Sequence, residues 1–233
     1  MSWSFPCLRL QRQLYALRLR GQSADRQAAF AELQRCWQQM QFRTGDCWRD
    51  VEFLVVDTET SSLDAGDGEL LSAGWVVVRG GRVVLSTAEH WLVKPRNGVG
   101  HSATIHSLRD CELSEGIEEQ ELMSHFLTAA SGRVLVFHHA PLDLAFLNRI
   151  SRRLCGAPLL LPVVDTLQVE RRSLARRHQP VVNNMLRLAS CCARYNLPPA
   201  RAHNALTDAL ATAELLLAQV SYKGKNVKLK ALI

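Results

Sequence analysis

The sequence predicts an α/β domain with a mixed central sheet flanked by helices. Three strand-like segments come first: a short apolar run at residues 51–56 and two β-rich runs at residues 70–79 and 82–93. A glycine pair at residues 80–81 separates the second and third runs, and such a pair favours an antiparallel hairpin. Helical and strand-like segments then alternate, which is typical of an α/β sheet.

The alternating segments follow from the spacing of apolar residues. Helices are predicted at residues 118–130, 142–154, 167–178, 184–195 and 205–220, and strands at residues 133–137 and 159–164. Pro162 interrupts the last strand-like run. Pro198 and Pro199 follow the fourth helix and end it, because the residue before a proline disfavours the helical conformation. Cys191 and Cys192 fall in that helix and are interpreted as packing residues.

The first 50 residues are unusually rich in Arg, Gln and Leu. Two apolar stripes at helical spacing predict two amphipathic helices broken near residues 21–25. The stripes comprise Leu10, Leu14 and Leu17, and Phe30, Leu33, Trp37 and Met40. We expect residues 1–50 to form a helical extension that packs on the main domain, and a docking surface for a protein partner is the alternative.

The last residues, 221–233, carry four lysines without a clear period. We interpret them as a solvated basic tail, and a flexible phosphate clamp is the alternative.

The bulk composition is that of a globular protein with one main core. The chain has 233 residues, of which 47% are hydrophobic and 21% are charged. The net charge of +6 suits a polyanionic partner such as nucleic acid, although a mildly basic balance is common among globular proteins.

The cysteine content and the hydropathy of the chain indicate its cellular compartment. The seven cysteines form no CxxC pair, so no zinc site is predicted, and their odd number favours a reducing compartment. Arginines interrupt the N-terminal apolar residues, so no secretory signal is recognisable. No run approaches the roughly 20 apolar residues of a membrane span. We therefore expect a cytoplasmic protein without a membrane partner.

Two carboxylates end the first predicted strand, in the stretch "FLVVDTETSSLD" at residues 53–64. Side chains at i and i+2 of a strand point to the same side, so Asp57 and Glu59 share one face if the strand continues. Like charges at close range repel each other, and a divalent cation between them removes the conflict. By itself the pair is a weak signal, because a solvated turn with two acids is common.

Three further polar residues lie at the ends of predicted elements. Asp143 opens the helix after the strand at residues 133–137, where complementing the helix dipole is an alternative role. Asp208 interrupts an Ala- and Leu-rich helix, and His203 precedes it by five residues. Four carboxylates and a histidine match a two-metal phosphoryl-transfer site, where the histidine takes a proton from water.

Three segments resemble the exonuclease motifs of the DEDDh family, which includes the proofreading (epsilon) subunit of bacterial DNA polymerase III, RNase T and oligoribonuclease. The segments are "VVDTETSSLD", "HHAPLDLAFL" and "HNALTDALAT", in the family's order. The spacing from His203 to Asp208 matches the third motif of the histidine-bearing branch. The resemblance implies an RNase H-like fold for residues 51–220. It also implies 3′→5′ removal of nucleotides as monophosphates with two Mg²⁺ or Mn²⁺ ions.

The same resemblance implies roles for individual residues. The implied metal ligands are Asp57, Glu59, Asp143 and Asp208, and the implied general base is His203. Thr60 and Leu63 match positions that contact the terminal nucleotide, Leu63 as an apolar wedge against the base. The stretch "TIHSL" implies that His106 lies near the substrate, and "VVDTL" implies that Asp165 is a secondary, structural acid.

The chain departs from the family pattern at four positions, and none of them removes a catalytic group. The residues are Ser62, Ser107, His139 and Leu142, where Gly, Gly, Asn and Phe are usual. These departures bear on the preferred substrate more than on activity.

The leading hypothesis is a DNA 3′→5′ exonuclease acting on single-stranded 3′ ends. An RNA-directed enzyme similar to RNase T or oligoribonuclease is the alternative, since nothing in the sequence separates DNA from RNA. A non-catalytic subunit of a polymerase complex is less favoured, because all four acids and the histidine are present. If residues 1–50 serve a partner, a DNA polymerase or another protein is expected. The arginines on the predicted helices at residues 142–154 and 167–178 are expected either to contact phosphates or to lie on solvent-exposed helix faces.

Overall fold

The structure is a computed structural model that describes residues 5–19, 23–96, 113–182, 184–199, 204–224 and 226–233. The α-helices in these residues are α1 (Phe5–Arg18), α2 (Ala24–Gln38), α3 (Glu119–Ala130), α4 (Ala140–Cys155), α5 (Thr166–Arg176), α6 (Leu188–Arg194) and α7 (Ala205–Lys223), and short 3-10 helices lie at Trp48–Asp50 and Leu229–Ala231. The strands are β1 (Phe53–Thr60), β2 (Leu70–Arg79), β3 (Arg82–Leu92), β4 (Val134–Phe137) and β5 (Val163–Asp165). Among these described helices, none is both long and apolar enough to cross a membrane.

The five strands form one mixed sheet in the order β3-β2-β1-β4-β5. The first three strands pair antiparallel, and β4 and β5 join β1 in parallel. Gly80 and Gly81 have φ of 59° and 78°, the left-handed conformation that a two-residue hairpin turn requires at both positions. The predicted mixed sheet and its hairpin are therefore confirmed.

The alternation of strand side chains divides the core into two layers. On β1, Leu54 and Val56 belong to the layer shared with α2, α3 and α4. Phe53 and Val55 belong to the opposite layer, which includes α7. All four side chains are fully buried, so the sheet is covered on both faces, as expected for a central strand with a continuous apolar run.

Among the boundaries that differ from the expectation, three have a clear physical reason. Strand β1 continues to Thr60, because its polar end still pairs with β2. Strand β5 begins only after Pro162, which lacks the N–H group that a strand ladder needs. Helix α6 begins at Leu188 rather than 184, since Asn184 has a φ of 71°, outside the helical region.

The N-terminal helices pack on the α4 side of the sheet. Phe30, Leu33 and Trp37 of α2 are buried, and the Trp37 indole donates a 2.5 Å hydrogen bond to the Leu159 carbonyl. Arg12 of α1 donates to the next carbonyl, at residue 160, at 2.6 Å. In the structure, α1 and α2 therefore contact the main domain.

The predicted packing face of α1 is wrong, because the stripe of Leu10, Leu14 and Leu17 faces outward. Leu10, Leu14 and Leu17 are 59%, 46% and 57% exposed, whereas Leu8 and Leu19 of the opposite face are buried. The two faces have similar numbers of apolar side chains, so periodicity alone selected the wrong one.

The C-terminal residues are not a solvated tail. Val227, Leu229 and Leu232 are buried in the α7 layer. The amides of Leu229 and Lys230 donate to the carbonyls of Asp46 and Thr44 at 3.0 and 2.9 Å. Lys228 pairs with Cys47 in an isolated antiparallel bridge, and Leu229–Ala231 is a short 3-10 helix. Elements this short leave no clear period in the sequence.

Candidate active site

Strand β1 delivers two carboxylates to the face of the sheet that α7 covers. Phe53 and Val55 lie in the core of that face. Because alternate residues of a strand share a face, Asp57 and Glu59 continue the same series. Both belong to the strand, which ends one residue later at Thr60. The strand geometry that the prediction required is therefore present.

Helix α7 brings a third carboxylate to this pair. Asp208 lies in the first turn of α7. Asp57, Glu59 and Asp208 each offer a carboxylate oxygen, and the three oxygens lie within 4.8 Å of one another. Asn204 caps the helix by accepting a 3.1 Å hydrogen bond from the Thr207 amide, which fixes where α7 begins and therefore where Asp208 lies.

The approach of α7 to β1 depends on a glycine in β2. Gly74 is the antiparallel partner of Asp57. A Cβ on Gly74 would lie 2.3 Å from the backbone nitrogen of Leu206 and 2.5 Å from the carbonyl carbon of Ala205. Sequence reasoning missed Gly74, although an isolated glycine inside a strand pattern is a known sign of close backbone approach.

Asp143 reaches the site from the other face of the sheet. It lies in the first turn of α4, is only 4% exposed, and is outside the group of three carboxylates. Thr58, which points away from Asp57 and Glu59, donates a 2.7 Å hydrogen bond from its hydroxyl to Asp143 Oδ1. Thr58 was not singled out in the sequence, because only the tertiary structure shows what faces it.

Burial and repulsion raise the pKa of these carboxyl groups. The pKa of Glu59 rises to about 7, first through burial and then through the charges of Asp208 and Asp143. Burial also raises the pKa of Asp143 to about 7, against the hydrogen bond from Thr58. The pKa of Asp57 lies well above its usual range because of burial and the three neighbouring carboxylates. At neutral pH this close packing of carboxylates favours protonation of some of them unless a counter-charge is present.

A divalent cation fits this donor set. The carboxylate oxygens of Asp57, Glu59 and Asp208 are close enough to share an ion, and oxygen donors of this kind suit Mg²⁺ or Mn²⁺. Cation binding would also remove the repulsion that raises the pKa of these groups.

The predicted nucleotide contacts follow directly after the carboxylates. Thr60 is 7% exposed, and its hydroxyl donates to the Ser62 carbonyl at 2.8 Å. Leu63 is 84% exposed, so its side chain is available for an apolar contact with a base. The roles of Thr60 and Leu63 toward a substrate remain predictions.

The loop after β1 is held by an arginine considered above for phosphate contact. Arg149 of α4 donates to two backbone carbonyls of the loop at residues 61–69, one of them Gly68 at 2.7 Å. Arg153, one turn later, forms an ion pair with Glu119. These two side chains therefore have structural partners.

Asp165 occupies a structural position, as the resemblance implies. Its Oδ1 accepts hydrogen bonds from the amides of Leu167 and Gln168 at the start of α5, and from the amide of His139 at 3.1 Å. Asp165 thus connects the starts of α4 and α5.

The two predicted histidines, His203 and His106, lie outside the described residues. Their roles as general base and substrate neighbour remain predictions. In the chain, His203 directly precedes Asn204, the cap of α7.

Curated proteins are similar to this chain in sequence. The chain is 30% identical over 169 residues to a DNA polymerase III of PolC type from Thermotoga maritima, covering 72% of this chain and 12% of that protein. It is 29% identical over 167 residues to a DNA polymerase III subunit epsilon-like protein from Rhodobacter capsulatus, covering 71% of this chain and 23% of that protein. The chain thus spans less than a quarter of the length of these relatives.

Solved structures share the fold. E. coli exonuclease I, in a zinc-bound complex with single-stranded DNA, matches with a TM-score of 0.64 and 16% identity over 75% of this chain and 41% of that chain. Cell-death related nuclease 4 matches with a TM-score of 0.62 and 14% identity over 76% of this chain and 66% of that chain. The expected RNase H-like fold is confirmed.

The family follows from the match to a family model. The model described as Exonuclease, RNase T, matches residues 54–216, which is more than half of the chain and includes all four acids. The resemblance inferred from the three motifs is confirmed at this level. The chain belongs to the Exonuclease (RNase T) family.

Proposed function

We propose that this protein is a metal-dependent 3′→5′ exonuclease that hydrolyses the terminal phosphodiester of single-stranded DNA and releases nucleoside monophosphates. The observation that carries the proposal is the meeting of Asp57, Glu59 and Asp208 within 4.8 Å. Asp143 adds a fourth buried carboxylate from the opposite face of the sheet. This set of acids, in a chain of the exonuclease family, suits two divalent cations.

In the proposed mechanism, Asp57, Glu59, Asp143 and Asp208 would hold two Mg²⁺ or Mn²⁺ ions. Such ions lower the pKa of water and neutralise charge on a phosphodiester. His203 accepts the proton of the attacking water, since imidazole titrates near neutral pH. Thr60 and Leu63 position the terminal nucleotide, Leu63 by packing against its base, and His106 lies near the substrate.

The proposal has a direct test. The purified chain is incubated with 5′-labelled single-stranded DNA, mismatched-end duplex DNA and single-stranded RNA, each with Mg²⁺, Mn²⁺ or EDTA. We expect a ladder of 3′-shortened DNA products that EDTA abolishes. Shortening from the 5′ end, or an equal rate in EDTA, would contradict the proposal.

We propose DNA rather than RNA as the substrate because the similar proteins are named as DNA polymerases or were solved with single-stranded DNA. An RNA-directed exonuclease remains the alternative, and the RNA arm of the same assay decides it. A non-catalytic role is disfavoured because the acids come together in space.

A DNA polymerase subunit is the proposed protein partner, in the cytoplasm, through residues 1–50. Support comes from the polymerase names of the relatives and from the exposed stripe of Leu10, Leu14 and Leu17. Titration of the purified polymerase subunit of the same organism with the chain and with its Leu14→Glu variant tests this. Equal binding of both, or binding of neither, would count against the proposal.

A further inference from the structure

A basic groove lies at the far end of α7 from the carboxylates. Its walls come from the ends of α5 and α7 and from the folded C-terminal residues, and it encloses about 520 Å³. The side chains that define it are Arg176, Arg177, Tyr222, Lys223, Lys228 and Lys230. No carboxylate is among the lining residues that the structure describes.

The cations of the groove have no described acidic partner. Within the described residues, none of these five side chains forms an ion pair at 4.0 Å or less. Glu170, whose charge acts on Lys223, is buried and bonded to Arg194, Tyr195 and Gln219. The groove therefore concentrates positive charge that the fold itself does not neutralise.

Burial and neighbouring cations both act on Lys223. Its pKa is lowered, first by burial and then by the charges of Arg176 and Arg172, against an opposite effect of Glu170. The pKa of Arg172 is lowered as well, by burial and then by Arg176. An arrangement of like charges costs stability, and a bound polyanion relieves that cost.

The lysines of the groove are held in place by the backbone. Val227 and Leu229 are buried, so Lys228 and Lys230, which alternate with them, point to solvent. The amide of Lys230 donates to the Thr44 carbonyl at 2.9 Å. The lysines are therefore presented by an ordered segment, which binds a ligand at lower entropic cost than a flexible tail.

An aromatic ring accompanies the cations. Tyr222 is 67% exposed, and its ring is oriented by an edge contact with Tyr195 at 5.1 Å between centroids. Cations beside an exposed aromatic ring are the combination that binds single-stranded nucleic acid, through phosphate contacts and base stacking. A membrane surface is less suitable, because the apolar residues of this segment, Val227 and Leu229, are buried.

We propose that this groove binds the phosphate backbone of the single strand whose 3′ end lies at the carboxylates. The inference rests on the proposed function and adds a second contact region to it. Asp208 and Lys223 are 15 residues apart on α7, which corresponds to about 22 Å at 1.5 Å per residue. At about 3.4 Å per stacked nucleotide, a strand of about six nucleotides spans that distance.

The test uses charge reversal with a matched control. The variant Lys228→Glu/Lys230→Glu changes two exposed side chains and keeps the backbone bonds. The control Arg9→Glu/Arg18→Glu makes the same charge change on the exposed face of α1. Binding of labelled oligothymidylates of 3 to 20 nucleotides is measured by fluorescence anisotropy in EDTA, so that affinity is recorded without hydrolysis.

We expect wild-type affinity to rise with length beyond about six nucleotides. The groove variant should lose at least tenfold in affinity for the 20-mer and little for the trimer, and its salt dependence should weaken because fewer counterions are released. Tyr222→Ala should reduce 20-mer affinity several-fold. The control should bind the 20-mer within about twofold of wild type.

The groove assignment would be overturned by unchanged 20-mer affinity in the groove variant, by an equal loss for the trimer, or by an equal loss in the control. Loss of binding to phosphatidylserine vesicles with unchanged oligonucleotide affinity would also overturn it. Failure of the proposed function looks different, because the wild-type chain would then degrade neither trimer nor 20-mer in Mg²⁺. If the wild type degrades both but the groove variant binds both normally, the groove alone is contradicted.

Discussion

Gly74 and Leu206 are in such close contact that a methyl group cannot fit between them. A Cβ on Gly74 would lie 2.3 Å from the Leu206 backbone nitrogen, so Gly74→Ala must move the first turn of α7 away from the sheet. Because Asp208 is in that turn and Asp57 is the partner of Gly74, we expect kcat/KM to fall at least tenfold. The measurement is single-stranded DNA hydrolysis in Mg²⁺, with circular dichroism to check the fold.

Gly45→Ala is the matched control for this substitution. A Cβ at Gly45 meets nothing within 4 Å, so we expect activity and stability near wild type. Equal activity in both variants would show that the approach of α7 to β1 does not set the carboxylate geometry.

The hydrogen bond from Thr58 to Asp143 predicts a difference between two replacements. Thr58→Val keeps the shape but removes the donor, which leaves a buried carboxylate with fewer partners and raises its pKa further. We expect kcat to fall about tenfold or more in Thr58→Val and to be largely kept in Thr58→Ser. The comparison is made in Mg²⁺ over pH 6 to 9, because a carboxyl group with a higher pKa competes less well for the cation at low pH, which shifts the acidic limb of the profile upward. Identical pH profiles of kcat in these variants would show that Thr58 does not position Asp143.

Metal removal should make the stability of the chain sensitive to pH. In EDTA, Glu59 and Asp143 have folded pKa values of about 7, above their ordinary values of 4.5 and 3.8. The folded chain then holds protons that the unfolded chain has released, so the contribution of these two groups to stability is largest below about pH 4 and is lost as pH rises through about 7. We expect Tm in EDTA to be lower at pH 7.5 than at pH 5.5.

Mg²⁺ or Mn²⁺ should reverse this loss, because cation binding to the folded state adds stability. We expect a rise of about 4 °C or more at pH 7.5, which is the effect of 1 to 2 kcal/mol in a chain of this size. Asp208→Asn removes a charge that raises the pKa of Asp57 and Glu59, so its Tm in EDTA should vary less with pH. A metal-induced rise in Asp208→Asn equal to that of wild type would argue against cation binding at this group.

The two faces of the N-terminal helices should respond differently to substitution. Leu33 is fully buried, so Leu33→Ala should cost about 2–5 kcal/mol in the free energy of unfolding. Leu14 is 46% exposed, so Leu14→Glu should change that free energy by less than about 0.5 kcal/mol. Urea denaturation measures both. A large loss in Leu14→Glu would place the stripe of Leu10, Leu14 and Leu17 in the fold rather than on the surface.

Local patterns predicted most of the elements but not the contacts between them. The hairpin at Gly80 and Gly81 was predictable because a turn is encoded within a few residues. The face of α1 that packs was not predictable, because both faces carry apolar side chains and only the neighbouring helices decide between them. The C-terminal residues were misread for a similar reason, since their partners are at residues 44–48.

By itself, the sequence determined the order of the elements, the family and the identities of four acids, because motif spacing and strand period are properties of neighbouring residues. Tertiary structure alone decided that Asp57, Glu59 and Asp208 converge within 4.8 Å while Asp143 joins them through Thr58. It also decided that Gly74 admits α7 to the sheet. These relationships join residues up to about 150 positions apart, and such contacts are set by packing between elements rather than by any local propensity.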